Sequence, residues 1–212
     1  MTDYLACSLC GNPTTFFKKT RKREYLRCEY CNSIQMNSKY FLTLDQEENR
    51  YKLHNNDIFD IRYQNFVKPI VDAVIQNNLT SELGLDFGAG TGPVITNILN
   101  TKGYNIEVYD PFFHKNEYLL NKKYDFIIIC EVIEHFHNPK KEFQLLKKLL
   151  KTNGKLYIMT DIFKPDIDFK KWHYKNDETH VFFYSKETFE YIRKTFLFSK
   201  VVLKDRLIIF EN

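Results

Sequence analysis

From residue 63 onward the apolar positions switch between two spacings. Phe66, Ile70, Val71, Val74 and Ile75 recur at helical steps, and Asn77-Asn78 supply a stop. The short run 83–87 predicts a strand. After a glycine-rich connection, Val94, Ile95, Ile98 and Leu99 predict a helix with one buried face. Strands are predicted again at 106–109, 124–130 and 153–160. Between the last two, a helix over 139–150 turns Phe143, Leu146, Leu149 and Leu150 inward and its lysines outward. A helix over 185–196 opens with a Ser-x-x-Thr cap and presents Phe189, Ile192 and Phe196. The stretch 200–210 reads as two strands around a tight turn at Asp205-Arg206. Strands alternating with helices make this an α/β domain.

Upstream the pattern changes. Residues 42–62 are polar with scattered aromatics and predict a short helix followed by a loop. Residues 14–17 and 25–27 read as two short strands joined by a basic turn. The expected organisation is therefore a small N-terminal unit (1–41), a linker and lid segment (42–62) and a main domain (63–212). No repeat or low-complexity tract interrupts it.

Composition fits this picture. The 212 residues are 43% hydrophobic and 27% charged, which suits one ordinary domain with an appendage and excludes a disordered chain. The longest uninterrupted apolar run, 126–130, is far short of the ~18 residues of a membrane span. The start Met-Thr-Asp-Tyr-Leu-Ala-Cys has neither a basic cluster nor an apolar signal core, so the expected location is cytoplasmic. The first forty residues hold seven Lys or Arg against three acids, which leaves 24 of each sign downstream. Only the N-terminal unit could present a basic surface to a polyanion.

That unit carries Cys7-x-x-Cys10 and Cys28-x-x-Cys31. A two-residue gap lets both thiolates of a pair reach one ion, and two pairs complete a tetrahedron. This is the closed geometry of structural zinc. Gly11 and Asn32 suit the turns that follow each pair. Forty residues bury too little apolar surface to fold alone, and the ion supplies the missing stability. Disulfides are disfavoured by a cytoplasmic setting, and unrelated free thiols by the paired spacing. The basic run Lys18-Lys19-Thr20-Arg21-Lys22-Arg23 is open to two readings, a phosphate contact or a solvated hairpin tip.

The main domain opens with strand, glycine loop, helix and a second strand ending in Asp110. Such a βαβ unit suits a cofactor carrying adenosine. Glycines admit close backbone approach, and an acid twenty residues after Gly90 can accept hydrogen bonds from ribose hydroxyls. The loop follows Asp86 and lacks the helix-opening third glycine expected for a pyrophosphate, which points instead to a phosphate-free sulfonium cofactor.

The run Leu85-Asp86-Phe87-Gly88-Ala89-Gly90-Thr91-Gly92 resembles the first motif of class I S-adenosylmethionine-dependent methyltransferases. Residues 124–135 (Tyr-Asp-Phe-Ile-Ile-Ile-Cys-Glu-Val-Ile-Glu-His) resemble that family's fourth strand and the turn after it, and 153–160 its fifth strand. The resemblance covers roughly residues 62–212 and implies a Rossmann-like sheet with an antiparallel closing hairpin. It also implies that Asp86, Gly88, Ala89, Gly90, Thr91, Gly92, Asp110 and Cys130 lie around S-adenosylmethionine. Residues 111–123 leave room for only a reduced or missing third strand.

A strand ending at Cys130 puts Glu131, Glu134 and His135 at the mouth of the sheet. If a helical turn begins there, the three share one side. Glu-x-x-Glu-His, followed downstream by His180 ahead of an aromatic pair, resembles metal-dependent O-methyltransferases. That resemblance implies Glu131, Glu134, His135 and His180 as ligands of Mg²⁺, Mn²⁺ or another divalent ion, which would activate an acceptor hydroxyl. Without a metal, His180 reads as a substrate-facing acid or base, with His173 a secondary candidate, and Glu134 and His135 as caps or substrate contacts. His54 is a candidate for a lid over the cofactor or an ordinary loop residue. Cys130 reads as a small buried side chain rather than a nucleophile. Trp172 either lines a pocket or packs its loop.

The functional expectation is methyl transfer to a small hydroxylated acceptor. The alternatives are an RNA methyltransferase using the basic ribbon and a non-catalytic cofactor- or partner-binding module.

Overall fold

A computed structural model describes residues 5–53 and 56–212. The N-terminal unit contributes strands β1 (Thr15–Lys19), β2 (Glu24–Arg27) and β3 (Ile34–Met36). Helix α1 (Leu44–Lys52) follows, opened by a reciprocal capping box between Thr43 and Gln46. Helix α2 (Ile61–Asn77) starts two residues ahead of its first periodic aromatic, because the Asp60 side chain caps it at the Arg62 amide.

The main body continues as β4 (Leu83–Phe87), α3 (Val94–Asn100), β5 (Asn105–Tyr109) and β6 (Tyr124–Cys130). Helix α4 (Pro139–Leu149), β7 (Leu150–Met159), β8 (Phe182–Phe183), α5 (Lys186–Thr195), β9 (Lys200–Lys204) and β10 (Leu207–Glu211) complete it. The expected Ser185–Thr188 cap of α5 is present as a reciprocal pair. Between β5 and β6 the chain forms a 3-10 turn, Glu117–Asn121, and no strand among the described residues.

Six strands form one sheet in the order β5-β4-β6-β7-β10-β9. The first four run parallel, and the β9–β10 hairpin closes the sheet antiparallel against β7. Because side chains alternate along a strand, each buried strand feeds two cores. Ile127 and Ile129 of β6 join the core that includes α4 and α5, while Phe126 and Ile128 join the one built with α2 and α3. The result is a helix–sheet–helix sandwich of the Rossmann type, with the carboxyl ends of β4, β5, β6 and β7 gathered at one edge.

The N-terminal strands form a second sheet, β1-β2-β3-β8, whose last member lies in the main body. Ile34 pairs with Phe183 and Gln35 with Phe182, while the Met36 amide donates to the Val181 carbonyl at 2.7 Å. The cysteine-bearing segment is thus hydrogen-bonded to the loop that follows β7. No described helix is long and apolar enough to cross a membrane.

Candidate active site and metal centres

The four N-terminal sulfurs converge. Cys7 Sγ lies 3.6 Å from Cys31 Sγ, and Cys10 Sγ lies 3.4 Å from Cys28 Sγ. All four fall within 4.8 Å of one another. A zinc tetrahedron with bonds of about 2.3 Å has edges of roughly 3.8 Å, so the donor set and its spacing fit structural zinc. Gly11 and Asn32 both adopt positive φ directly after a pair, as the turns demand. The hydrogen bond between Cys7 and Cys31 pulls the Cys7 thiol down and pushes the Cys31 thiol up, while burial raises Cys28.

A cleft of about 860 Å³ opens at the carboxyl edge of the large sheet. It is lined by Asp86, the loop Gly88-Ala89-Gly90-Thr91-Gly92, Asp110 and Cys130, which are the residues the sequence places around the cofactor. Gly88 has φ +82°, and a Cβ there would drive into the Val132 side chain. A Cβ at Gly92 would collide with the Asn56 carbonyl of the segment before α2. That segment therefore lies against the glycine loop, while His54 is outside the described residues. Asp110 closes the loop from the second strand. Its Oδ2 accepts from the Gly90 amide at 2.9 Å and its Oδ1 from the Phe112 and Phe113 amides. Asp86 is 4% exposed and accepts the Thr96 hydroxyl at 2.7 Å. Burial raises its carboxyl to about 6. A buried carboxylate with a hydroxyl as its side-chain partner among the described residues, facing a cleft with a glycine cradle, fits the ammonium end of S-adenosylmethionine. Cys130 lines the same cleft, and burial raises its thiol well above the usual range, which disfavours the thiolate that a nucleophile needs.

Beyond the loop the chain brings three of the four expected acid–imidazole residues together. Glu134, His135 and His180 have ligand atoms within 4.8 Å of one another. Glu131 is not in that set. It adopts φ +53°, so the turn Ile133–His135 begins only after the chain has swung away from β6, and the shared helical face never forms. Glu131 instead takes a two-pronged ion pair from Arg206, at 2.7 and 2.8 Å. Burial, then the charge of Glu134, lifts the Glu131 carboxyl despite that guanidinium, and burial lifts Glu134.

Glu134 is fully buried. The Tyr174 hydroxyl donates to its Oε1 and the Thr160 hydroxyl to its Oε2 at 3.0 Å. His180 Nε2 stands 3.9 Å from Glu134 Oε1. Both imidazoles touch backbone carbonyls through Nδ1: His180 meets the Tyr174 oxygen at 2.6 Å and His135 the Thr179 oxygen at 3.0 Å. A carbonyl only accepts, so each Nδ1 carries a proton, and in the neutral ring Nε2 is then the accepting nitrogen. His135, His180 and His173 all line the cleft. Such an arrangement supplies a proton acceptor or a metal ligand, and carboxylate–imidazole pairs of this kind serve both uses.

Trp172 packs its loop. It is 7% exposed, donates Nε1 to Asp161 at 2.9 Å and stacks among Phe163, Phe169, Tyr174 and Phe183. Two further site residues had no role assigned from the sequence, although Asp177 belongs to the Asp177-x-Thr179-His180 run just ahead of the aromatic pair. Arg206 sits at the β9–β10 turn, with its guanidinium over the rings of Phe66 and Tyr174. Asp177, in the loop before β8, also lines the cleft. Charged residues in turns are ordinary, and only the fold brings these two inward.

A methyltransferase-domain family profile matches residues 59–196. No curated protein matches the chain. Among solved structures, an O-methyltransferase family protein from Burkholderia thailandensis superposes with TM-score 0.54 at 12% identity. The match covers 78% of this chain and 61% of that one. A structure titled as an O-methyltransferase from Nostoc punctiforme gives 0.50 at 13% identity, covering 70% and 56%. A SAM-dependent methyltransferase from Archaeoglobus fulgidus gives 0.56 at 17% identity, covering 70% and 94%. The chain thus spans about three-fifths of the first two relatives. At these identities the likeness shows the fold alone.

Proposed function

The chain belongs to the methyltransferase-domain family, and from that premise we propose that it methylates the oxygen of a small hydroxylated acceptor. When bound, S-adenosylmethionine, the cofactor of this family, supplies a sulfonium methyl group open to in-line displacement. The chain's own residues would hold it at the described cradle. Asp86 meets the ammonium, Asp110 the ribose hydroxyls, and the Gly88–Gly92 backbone admits close approach.

One observation carries the choice of an oxygen acceptor. Two imidazoles, each fixed with Nδ1 protonated, stand in the same cleft as the glycine loop. A hydroxyl is a poor nucleophile at neutral pH, and His180 Nε2 is suited to take its proton as the bond to carbon forms. Tyr51, Phe66 and Phe112 line the remaining wall and favour an acceptor with an apolar or aromatic body. A small acceptor agrees with a main body of balanced charge and with the state of the basic run. Lys19 pairs with Glu24, and Arg23 is committed to two backbone carbonyls.

A second reading has its own observation. The convergence of Glu134, His135 and His180 suits a divalent ion that would lower the acceptor's pKa. Glu131, paired with Arg206, is left out of that ligand set.

The test is transfer from methyl-labelled S-adenosylmethionine into a cell extract, with and without a mild chelator, followed by separation of RNA, protein and small molecules. Label in the small-molecule pool supports the proposal. Label in nuclease-sensitive material overturns it in favour of an RNA acceptor. Chelator-sensitive label with ribbon zinc retained selects the metal-assisted form.

A further inference from the structure

Two of the cleft imidazoles, those of His135 and His180, take their orientation from one loop, and the N-terminal segment holds that loop in place. His180 Nδ1 and His135 Nδ1 donate to the carbonyls of Tyr174 and Thr179, which lie on either side of Asp177. Asp177 ties the loop together from within. Its Oδ1 accepts from the Thr179 amide at 3.0 Å and the Thr179 hydroxyl at 2.7 Å, and its carbonyl accepts from the His180 amide at 3.3 Å.

From outside, Asp177 is gripped by two arginines more than a hundred residues away in sequence. Arg50 of α1 pairs with Oδ2 at 2.7 Å. Arg23, at the start of the β2 arm, donates to the carbonyls of Asp177 and Asn176 at 3.0 and 3.1 Å. On the same side, the Tyr25 hydroxyl donates to the Lys175 carbonyl at 3.4 Å. Past His180, β3 binds the chain again through the Met36–Val181 bond, and Val181 in turn donates to the Glu134 carbonyl at 2.9 Å.

We propose that Asp177, clamped by Arg23 and Arg50, is a positioning residue that holds His135 and His180 in the cleft with Nδ1 protonated toward the loop carbonyls. The N-terminal segment is then a working part of the active site. Its sheet and its two arginines hold the loop on which the acceptor's base is mounted. The inference rests on His180 serving as that base. Three observations favour it over a merely packed loop. The bonds run to main-chain carbonyls on both sides of Asp177, so they fix backbone and not just side chains. The same loop supplies the Nδ1 partner of both imidazoles. Arg23 donates through two separate guanidinium nitrogens, a geometry that a lysine cannot reproduce.

The experiment compares the full-length wild type with Asp177→Ala, Asp177→Asn and the pair Arg23→Gln/Arg50→Gln, each checked for retained zinc and cooperative melting. Two readouts are taken. Nitrogen-15 NMR of the histidine rings reports which ring nitrogen carries the proton, independently of any acceptor. Steady-state kinetics, with the acceptor from the labelled pool, separates kcat from KM. In Asp177→Ala and in the double arginine variant, the two histidines are expected to lose the Nδ1-protonated signature. Turnover falls about ten- to a hundredfold while affinity for S-adenosylhomocysteine stays within about twofold, as displacement of a catalytic group by roughly an ångström would do. Asp177→Asn keeps the acceptor for Thr179 but sets an amide N–H against Arg50, so it is expected to restore the signature and the rate only in part. An unchanged ring signature in the clamp variants overturns the positioning role. A lost signature with unchanged turnover supports the clamp and overturns His180 as the base, so the two claims fail separately.

Discussion

Asp86→Asn should make the protein more stable and less able to bind its cofactor, with both effects set by pH. Asp86 sits at the end of β4, 4% exposed, with the Thr96 hydroxyl on its carboxylate. Burial raises its carboxyl from 3.8 to about 6. The folded protein therefore holds a proton that the unfolded chain releases between those two values, and stability falls as pH rises through that window. The penalty is absent below pH 3.8 and complete above about 6. A rise of that size corresponds to up to about 3 kcal/mol. Asparagine keeps an acceptor for Thr96 and removes the buried charge. The variant should gain up to about 3 kcal/mol over wild type at pH 8, or roughly 6–12 °C in Tm for a chain of this size, and almost nothing at pH 4. Binding runs the other way. A cationic ammonium requires the ionised carboxylate, so wild-type affinity should drop as pH falls through about 6, while the variant is weak throughout. The assay is urea unfolding of both proteins across pH 4–8, paired with calorimetric titration of S-adenosylhomocysteine. A variant less stable than wild type at pH 8, or a pH-independent difference, would refute the reasoning that Asp86 is a strained carboxylate awaiting a cation.

Three other outcomes follow from the geometry. His180→Ala should lower turnover by about 10²–10⁴ with cofactor affinity unchanged, measured as kcat against the Kd for S-adenosylhomocysteine. Arg206→Leu leaves Glu131 without its two-pronged partner and should cost about 1–3 kcal/mol in denaturant unfolding, most of it recovered by adding Glu131→Gln. Cys28→Ser should lose the zinc that the purified wild type carries in stoichiometric amount by elemental analysis, and its melting transition should drop. Since β3 holds the chain beside His180, methyl transfer should fall with it.

The parts of the molecule that could be read from the chain are those written in short-range pattern. The strand at 83–87, its glycine loop, the helix after it and Asp110 occupy one continuous stretch, and local spacing alone specifies them. The cysteine pairs are legible for the same reason. What stayed hidden depends on contacts distant in sequence. The pairing of β3 with β8 joins segments about 150 residues apart, and nothing in a two-residue strand such as Phe182–Phe183 announces its partner. Arg206 and Asp177 are charged turn residues of the commonest kind until the sheet brings them to the cleft. Glu131 lines the cleft at the mouth of the sheet as expected, but a single dihedral takes it out of the group with Glu134 and His135. A helical turn starting at the strand end would have aligned it with Glu134 and His135, and its left-handed φ sends it to Arg206 instead. The stretch after β5 was legible as holding a reduced or missing strand because residues 111–123 are too few, and the described residues there form a 3-10 turn.

On the proposed reading, this cleft moves a methyl group onto oxygen with His180 taking the proton. The most direct measurement uses S-adenosylmethionine carrying a carbon-13 methyl, incubated with the acceptor pool and either wild type or His180→Ala, and read by carbon NMR. A new signal is expected in the methoxy region for wild type, formed at least about a hundredfold more slowly by the variant. A signal in the N-methyl or C-methyl region, or an O-methyl signal that forms equally fast without His180, would contradict it.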